Sequence, residues 1–174
     1  RATSIDIKHP RIDRIYLPFD TPFATQRFLN TYKPQMGLLL ETELWFNLIH
    51  QAHLKSIPLY LVNARLSEKS FQLYKKILLL IKPSLQELKG VLAQTHSDAK
   101  RFKSLGARSI EVIGNLKFDV VPPQETNKKI LLLAPVSELY CSIEFLEKTL
   151  DNLVRMHGRE KLAKAKVSCY LVER

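Results

Sequence analysis

The chain has 174 residues, of which 45% are hydrophobic and 25% charged, an ordinary balance for a globular protein with one core. No run approaches the roughly 18 to 20 apolar residues that a transmembrane helix needs. Because 27 Lys and Arg residues outnumber 17 Asp and Glu residues, the net charge is +10 and the pI is near 9.7. This charge predicts attraction to polyanions, namely nucleic acid, an anionic membrane surface or phosphorylated substrates, without choosing among them.

Short apolar runs alternate with longer amphipathic runs along the first two thirds of the chain. Strands are predicted at residues 14–17, 36–40, 58–62, 90–93 and 109–113. Helices are predicted between them, at residues 22–32, 43–54, 67–81 and 97–105. Lys33-Pro34 and Lys82-Pro83 are expected to end the first and third of these helices. Strands that alternate with helices predict an α/β fold, a Rossmann-like parallel sheet flanked by helices.

The composition changes after about residue 120. Residues 1–120 are predicted to form an N-terminal Rossmann-like domain, incomplete at its start because the chain opens on Arg1 in a polar stretch. Residues 121–129 contain a Pro-Pro pair and are predicted to be a connector. Residues 130–174 follow as a C-terminal segment. Within this segment we expect a strand and then a long helix, at residues 130–133 and 137–156.

Polar residues follow every predicted strand of the N-terminal domain. In chain order these sets are Pro18-Phe19-Asp20, Glu41-Thr42-Glu43, Asn63-Ala64-Arg65, Gln94-Thr95 and Asn115-Leu116-Lys117. Because the carboxyl ends of parallel strands share one edge of the sheet, we expect the five sets to line a common site. There Glu41 could accept a hydroxyl proton while Arg65 and Lys117 hold anionic oxygens. This combination suits a sugar or a phosphorylated substrate.

A second interpretation gives several of these residues a structural role. Helix starts favour Ser, Thr, Asp and Asn, so Thr42, Ser67 and Thr95 could cap the helices that follow them. Glu43, at the predicted start of the second helix, could complement the positive end of that helix. Capping explains Glu41 and Lys117 less well. Both interpretations stay open at this edge of the sheet.

No metal or cofactor site is predicted. His50 and His53 are three residues apart on one predicted helix but lack a third ligand nearby. Cys141 and Cys169 form neither a metal-ligand spacing nor a disulfide framework. A Gly-rich phosphate-binding loop is absent from the sequence.

Lysines surround the apolar run at residues 77–81. Lys75, Lys76 and Lys82 could place this helix on an anionic membrane surface, or they could form the solvated face of an ordinary amphipathic helix.

The alternative function for the chain is a non-enzymatic basic α/β module that binds nucleic acid. Aromatic residues are not interleaved with the cations as a single-strand binding platform requires, so no nucleic-acid partner is expected.

Four motifs stand in order between residues 14 and 120. They are Tyr16-Leu17-Pro18-Phe19-Asp20, Glu41-Thr42-Glu43-Leu44-Trp45 with Asn47, Val62-Asn63-Ala64-Arg65-Leu66-Ser67, and Gly114-Asn115-Leu116-Lys117-Phe118-Asp119. Together they resemble the lipid A Kdo (3-deoxy-D-manno-octulosonic acid) transferase family.

The resemblance implies the acceptor domain of a GT-B glycosyltransferase, in which two Rossmann-like domains face a cleft, with residues 130–174 on the donor side. The implied activity is inverting transfer of Kdo from CMP-Kdo to a lipid A precursor in lipopolysaccharide biosynthesis, at the cytoplasmic face of the bacterial inner membrane. No cofactor is implied beyond the donor substrate. Glu41 and Lys117 occupy positions that the family assigns to transition-state stabilisation. Asn63, Arg65 and Asn115 are the expected substrate-binding residues.

Three departures from the family pattern are visible. The family's presumed catalytic base is a glutamate in a Gly-Glu motif, which lies upstream of the first residue here together with the membrane anchor. Phe46 stands where the family usually has proline. Residues 121–174 match no donor-domain motif. We therefore expect the chain to be an incomplete part of a longer enzyme, inactive by itself.

Overall fold

The computed structural model describes residues 12–114, 129–133 and 168–173. The strands in these ranges are Ile12–Tyr16 (β1), Met36–Leu40 (β2), Leu59–Ala64 (β3), Gly90–Ala93 (β4), Ile110–Val112 (β5), Lys129–Leu133 (β6) and Ser168–Glu173 (β7). They form one sheet in the order β1-β7-β6-β2-β3-β4-β5, and every pair of neighbours is parallel. The helices are Pro22–Tyr32 (α1), Phe46–Leu54 (α2), Glu68–Lys76 (α3), Leu78–Glu87 (α4) and His96–Ser104 (α5). The predicted α/β fold with a Rossmann-like parallel sheet is confirmed.

The central strands are buried along their whole length. Every residue of β2, β3 and β4 is buried. Leu39, Leu59, Leu61 and Val91 join one apolar cluster with residues of α1, α2, α4 and α5. Alternate residues such as Leu38 and Tyr60 point to the opposite face and are buried as well. Burial on both faces explains why these strands appear in the sequence as continuous apolar runs rather than as alternating ones.

Several helix ends follow directly from local sequence. Pro22 begins α1, where its missing N–H costs nothing, and Lys33 ends the helix in a left-handed conformation with φ 45°. The hydroxyl oxygens of Ser67 and Thr95 accept hydrogen bonds from the N–H groups of Ser70 (3.2 Å) and Asp98 (3.1 Å) at the starts of α3 and α5. The capping interpretation is therefore confirmed for Ser67 and Thr95.

The single helix predicted at residues 67–81 is wrong. The chain breaks instead at Ile77, which separates α3 from α4. Pro83, expected to stop the helix, lies inside α4. A proline at this position removes the hydrogen bond to the carbonyl four residues earlier, at Leu79. Since Leu79 is 96% exposed, water can satisfy that carbonyl, and the helix continues to Glu87.

The second helix begins later, and the third strand ends later, than the sequence predicts. α2 starts at Phe46 rather than at residue 43, so residues 41–45 form a turn and an irregular stretch between β2 and α2. β3 continues to Ala64, so Asn63 lies inside the strand rather than in the loop after it. Both shifts concern segments that carry predicted site residues.

Two strands come from the segment after residue 120. β6 confirms the strand predicted at residues 130–133, with Lys129 added from the predicted connector. β7, which the sequence analysis missed, lies between β1 and β6, and β6 pairs with β2. Both strands therefore belong to the sheet that the rest of the chain forms. The division into residues 1–120, 121–129 and 130–174 stays a prediction, and the long helix predicted at residues 137–156 lies outside the described residues.

Candidate functional site at the carboxyl edge of the sheet

Glu41 lies at the end of β2 in an unusual backbone conformation. Its φ is 59°, in the left-handed region, and its side chain is half-buried. Its backbone N–H donates to the carbonyl of Val62 at 2.9 Å, which continues the ladder between β2 and β3. For a residue other than glycine this conformation costs about 1–2 kcal/mol. Such residues cluster at functional sites, where the surroundings impose the geometry.

Asn63 lies beside Glu41 on the next strand and shares this conformation. Its φ is 54°, and the pairing of β3 with β4 shifts register between Leu61 and Ala64, as at a β-bulge. The side chain is only 3% exposed, and within the described residues its Oδ1 has no hydrogen-bond partner. A buried carbonyl oxygen left unpaired costs about 1–3 kcal/mol. Asn63 is thus a strained polar group one strand away from Glu41.

The turn formed by Glu41, Thr42 and Glu43, called here the Glu41 turn, is held by side chains rather than by a helix. The Thr42 hydroxyl donates to the carbonyl of Arg65 after β3. The hydroxyl of Tyr74, on α3, donates to the carbonyl of Thr42 at 3.5 Å. The capping interpretation is therefore wrong for Thr42, because its hydroxyl bonds to the loop after the neighbouring strand instead of to an N–H of α2. It is also wrong for Glu43, because α2 begins three residues later and has no acidic residue in its first turn.

Asp20 supplies the cap of α2 from a distant part of the chain. Its carboxylate accepts hydrogen bonds from the backbone N–H groups of Asn47 (3.2 Å) and Leu48 (2.9 Å) in the first turn of that helix. The Asn47 amide donates in return to the Asp20 carbonyl at 2.5 Å. This pair joins the two motifs that contain Asp20 and Asn47. A negative charge at this position also stabilises the helix dipole.

A buried carboxylate that the sequence analysis did not single out holds the loop after β3. Asp98 is 5% exposed and accepts a hydrogen bond from the N–H of Leu66 at 2.8 Å. Arg101 donates to the Leu66 carbonyl at 2.9 Å and lies 3.7 Å from Asp98, while its Nε bonds to exposed Glu68 at 3.1 Å. The available signal was the spacing of Thr95 and Asp98, which is that of a helix N-terminus. This network fixes the backbone on which Arg65 stands.

The structure brings some predicted site residues together and leaves others untested. Glu41, Asn63 and Arg65 lie at the carboxyl ends of neighbouring strands, and Gln94, after β4, donates through Nε2 to the Asn63 carbonyl at 3.1 Å. Arg65 itself is exposed. Lys117 and Asn115, predicted to follow β5, lie outside the described residues. The catalytic and substrate-binding roles of all five residues stay predictions.

An exposed apolar surface surrounds the junction of α3 and α4. Its large side chains are exposed by 96% for Leu79, 56% for Leu73, 49% for Leu80 and 43% for Ile77. Lys75, Lys76 and Lys82 are exposed on the same two helices, and the Lys75 amine lies 5.0 Å from the centre of the Phe71 ring. We call these four apolar residues and three lysines the α3–α4 surface. Among the described helices, none is long and apolar enough to cross a bilayer.

Candidate metal ligands do not cluster in the part of the chain that the structure describes. There, no three His, Cys, Asp or Glu side chains lie close enough together to hold a metal ion. His50 instead pairs with Glu87 across α2 and α4, with 2.8 Å between Nδ1 and Oε1. The expectation that the protein uses no cofactor stays a prediction.

A parallel α/β sheet with polar residues at its carboxyl edge defines a Rossmann-like domain, a class in which ligands bind at that edge. Residues 2–120 match the family model described as 3-deoxy-D-manno-octulosonic-acid transferase (kdotransferase). Since the match covers more than half of the chain, the protein belongs to this family. The resemblance inferred from the four motifs is confirmed.

Similar curated proteins agree with this assignment. The chain is 38% identical over 117 residues to the 3-deoxy-D-manno-octulosonic acid transferase of Haemophilus influenzae, covering 66% of this chain and 27% of that protein. It is 40% identical over 114 residues to the Bordetella pertussis protein of the same name, with the same two shares, 66% and 27%. It is also 38% identical over 112 residues to a bifunctional glycosyltransferase/methyltransferase of Fusobacterium nucleatum, covering 63% of this chain and 18% of that protein. The matched region thus spans about a quarter of the first two relatives.

Proposed function

We propose that the protein contributes the acceptor-side domain of an inverting GT-B glycosyltransferase that transfers Kdo from CMP-Kdo to a lipid A precursor in lipopolysaccharide biosynthesis. The observation that carries this proposal is family membership over residues 2–120. The reaction takes place at the cytoplasmic face of the bacterial inner membrane and uses no cofactor beyond the donor substrate. Because the chain corresponds to about a quarter of its relatives, the activity belongs to the complete protein.

The proposed chemistry gives each site residue a role. As an acceptor hydroxyl attacks the anomeric carbon and gives its proton to a general base of the complete enzyme, the bond to the CMP phosphate breaks, so positive charge develops on the sugar and negative charge on the leaving phosphate. Glu41 stabilises the positive charge, and Lys117 offsets the negative charge of the phosphate or of the Kdo carboxylate. Arg65 binds an anionic oxygen, while Asn63 and Asn115 bind sugar hydroxyls. Within the part of the chain that the structure describes, the Oδ1 of Asn63 has no hydrogen-bond partner, which supports an acceptor role for that residue.

The test compares matched variants of the complete enzyme. Glu41→Gln and Lys117→Ala are each expected to lower kcat by about 100-fold, since each removes a group that acts on charge developed in the transition state. Glu43→Gln, which neutralises the other carboxylate of the Glu41 turn, and Lys103→Ala, on the exposed side of α5, are the controls. Near-normal turnover from both Glu41→Gln and Lys117→Ala would overturn the assignment of catalytic roles.

The α3–α4 surface supports a second part of the proposal, namely docking of the domain on the anionic membrane that presents the acceptor. Apolar side chains as exposed as Leu79 favour insertion at the boundary between headgroups and acyl chains. Lys75, Lys76 and Lys82 are exposed and contact anionic headgroups in this proposal, at about 1 kcal/mol for each lysine near the surface. The two contributions occur on the same pair of helices, as an interfacial docking element requires.

Vesicle flotation separates the contribution of apolar insertion from that of the lysine charges. The complete protein is expected to float with anionic vesicles more than with neutral ones, and replacing Lys75, Lys76 and Lys82 by Gln should remove that difference. Leu79→Ser should weaken binding to both kinds of vesicle, because it removes apolar insertion. Replacing Lys100, Lys103 and Arg108 by Gln changes the net charge equally away from the α3–α4 surface and serves as the control. Binding that is indifferent to anionic lipid would contradict docking through these lysines.

The alternative of a nucleic-acid-binding module is weakened by family membership. A gel-shift titration still separates the two functions. Tight binding to RNA or DNA that falls steeply with salt, together with no Kdo transfer by the complete protein, would favour the alternative.

A further inference from the structure

Tyr74, on α3, contacts the Glu41 turn. The phenol of Tyr74 is half-buried, and its hydroxyl donates to the carbonyl of Thr42, the central residue of the turn, at 3.5 Å. On the other side, the Thr42 hydroxyl holds the carbonyl of Arg65. Thr42 is thus bound on both sides, to the loop after β3 and to α3.

The surroundings of Tyr74 keep its hydroxyl protonated. Burial, and secondly the nearby Glu43 carboxylate, raise the pKa of Tyr74 above its ordinary value of 10.0. The phenol is therefore neutral at any physiological pH and remains a hydrogen-bond donor. The hydrogen bond to the Thr42 carbonyl places the phenol hydroxyl at the Glu41 turn, where the charge of Glu43 acts on it.

We propose that Tyr74 is a positioning residue, whose hydroxyl holds the Thr42 carbonyl and so fixes the direction in which Glu41 points from the end of β2. The inference rests on the proposed function, because it assigns Tyr74 a role through Glu41. Glu41 needs such support, since its left-handed backbone is strained and no helix begins until Phe46. α3 also carries Leu73, Lys75 and Lys76 of the α3–α4 surface, so the same bond links the turn to the helix proposed to rest on the membrane.

Tyr74→Phe tests the inference in the complete enzyme, because it keeps the ring that packs in the half-buried position and removes only the hydroxyl. We expect kcat to fall by about 3- to 10-fold, the effect of one neutral hydrogen bond, with KM for donor and acceptor within twofold and a thermal midpoint lowered by no more than a few degrees. Tyr32→Phe, the same deletion on a half-buried tyrosine of α1, is the control and should leave kcat unchanged. A wild-type kcat in Tyr74→Phe would overturn the positioning role.

A second measurement does not depend on activity. NMR titration of the Tyr74 ring carbon that bears the hydroxyl should show its pKa falling when Glu43 is replaced by Gln, since that removes a negative charge beside the phenol. An unchanged pKa would show that the phenol does not face the turn and would also overturn the inference. If the wild-type protein transfers no Kdo while the Tyr74 pKa responds to Glu43→Gln, the proposed function fails and the contact between α3 and the turn stands.

Discussion

Replacing Asp98 tests whether the loop after β3 is held by a buried carboxylate. Asp98→Ala removes the acceptor of the Leu66 N–H at 2.8 Å and of the Thr95 hydroxyl at 2.5 Å. A hydrogen bond to a charged group contributes about 1.5–3 kcal/mol, and the loss leaves a backbone N–H of a buried residue unpaired. Together these effects are expected to lower the free energy of unfolding by about 3–4 kcal/mol, a large part of the 5–15 kcal/mol typical of a domain.

The assay is urea unfolding followed by the fluorescence of Trp45, the single tryptophan of the chain. With a slope of about 2 kcal/mol/M, the midpoint for Asp98→Ala should fall by about 1.5–2 M. Asp98→Asn keeps one acceptor for Leu66 and should show roughly half that shift. Glu68→Gln removes the charge of the exposed carboxylate that pairs with Arg101, the arginine beside Asp98, and should leave the midpoint unchanged. A midpoint for Asp98→Ala within about 0.3 M of wild type, or a Glu68→Gln variant equally destabilised, would refute the reasoning.

Three further outcomes are expected. Asp20→Ala should destabilise the protein by about 1–2 kcal/mol and speed amide hydrogen exchange at Asn47 and Leu48, because α2 loses its cap; unchanged exchange at these two amides would contradict the capping role. Burial raises the pKa of Tyr60 to about 12 from 10.0. The stability that the buried, neutral phenol contributes is therefore complete below pH 10 and is lost as the pH rises towards 12. Tyr60→Phe should therefore unfold at a higher pH than wild type in an alkaline titration, and equal unfolding pH values would argue against this cause. Glu41→Gly should be more stable than Glu41→Ala by about 1 kcal/mol in thermal unfolding, since only glycine adopts φ 59° without strain; equal stabilities would show that the turn is not strained.

The sequence predicts best where a local signal decides the structure. The predicted bounds of α1, β2 and β4 agree with the structure, because Pro22 marks a helix start, Pro34 follows a helix end, and residues 36–40 and 90–93 are short apolar runs. The caps at Ser67 and Thr95 also depend only on residues three apart. The parallel sheet follows in turn from the alternation of such elements.

The structural predictions fail where residues distant in the chain determine the local structure. The start of α2 depends on Asp20, which lies 27 residues before Asn47 in the chain, so the nearby Thr42 and Glu43 suggested the wrong cap. The left-handed conformations of Glu41 and Asn63 depend on how β2, β3 and β4 pair, which no local pattern reveals. At Pro83 the helix continues past the proline, and the residue that carries the affected carbonyl, Leu79, is exposed; exposure is a property of the folded chain that the sequence does not reveal.

The candidate site was likewise predictable only in part. The rule that parallel strands share a carboxyl edge predicted that Glu41, Asn63 and Arg65 lie near one another, and the order of β2, β3 and β4 agrees. The rule could not predict the contacts of Asp98 and Tyr74. Asp98, on α5, bonds to the loop that carries Arg65, and Tyr74, on α3, bonds to the turn that carries Glu41. Residues that hold a site in place are visible only once the elements around it are packed.

The position of β1 in the sheet has a consequence for the newly synthesised chain. Within the described residues β1 pairs only with β7, so Ile12–Tyr16 gains this partner only after Ser168–Glu173 has been made. At typical translation rates of about 5–20 residues per second, that interval lasts roughly 8 to 30 s. Closing so long a loop costs about 4 kcal/mol of chain entropy, so this pairing is expected late in folding.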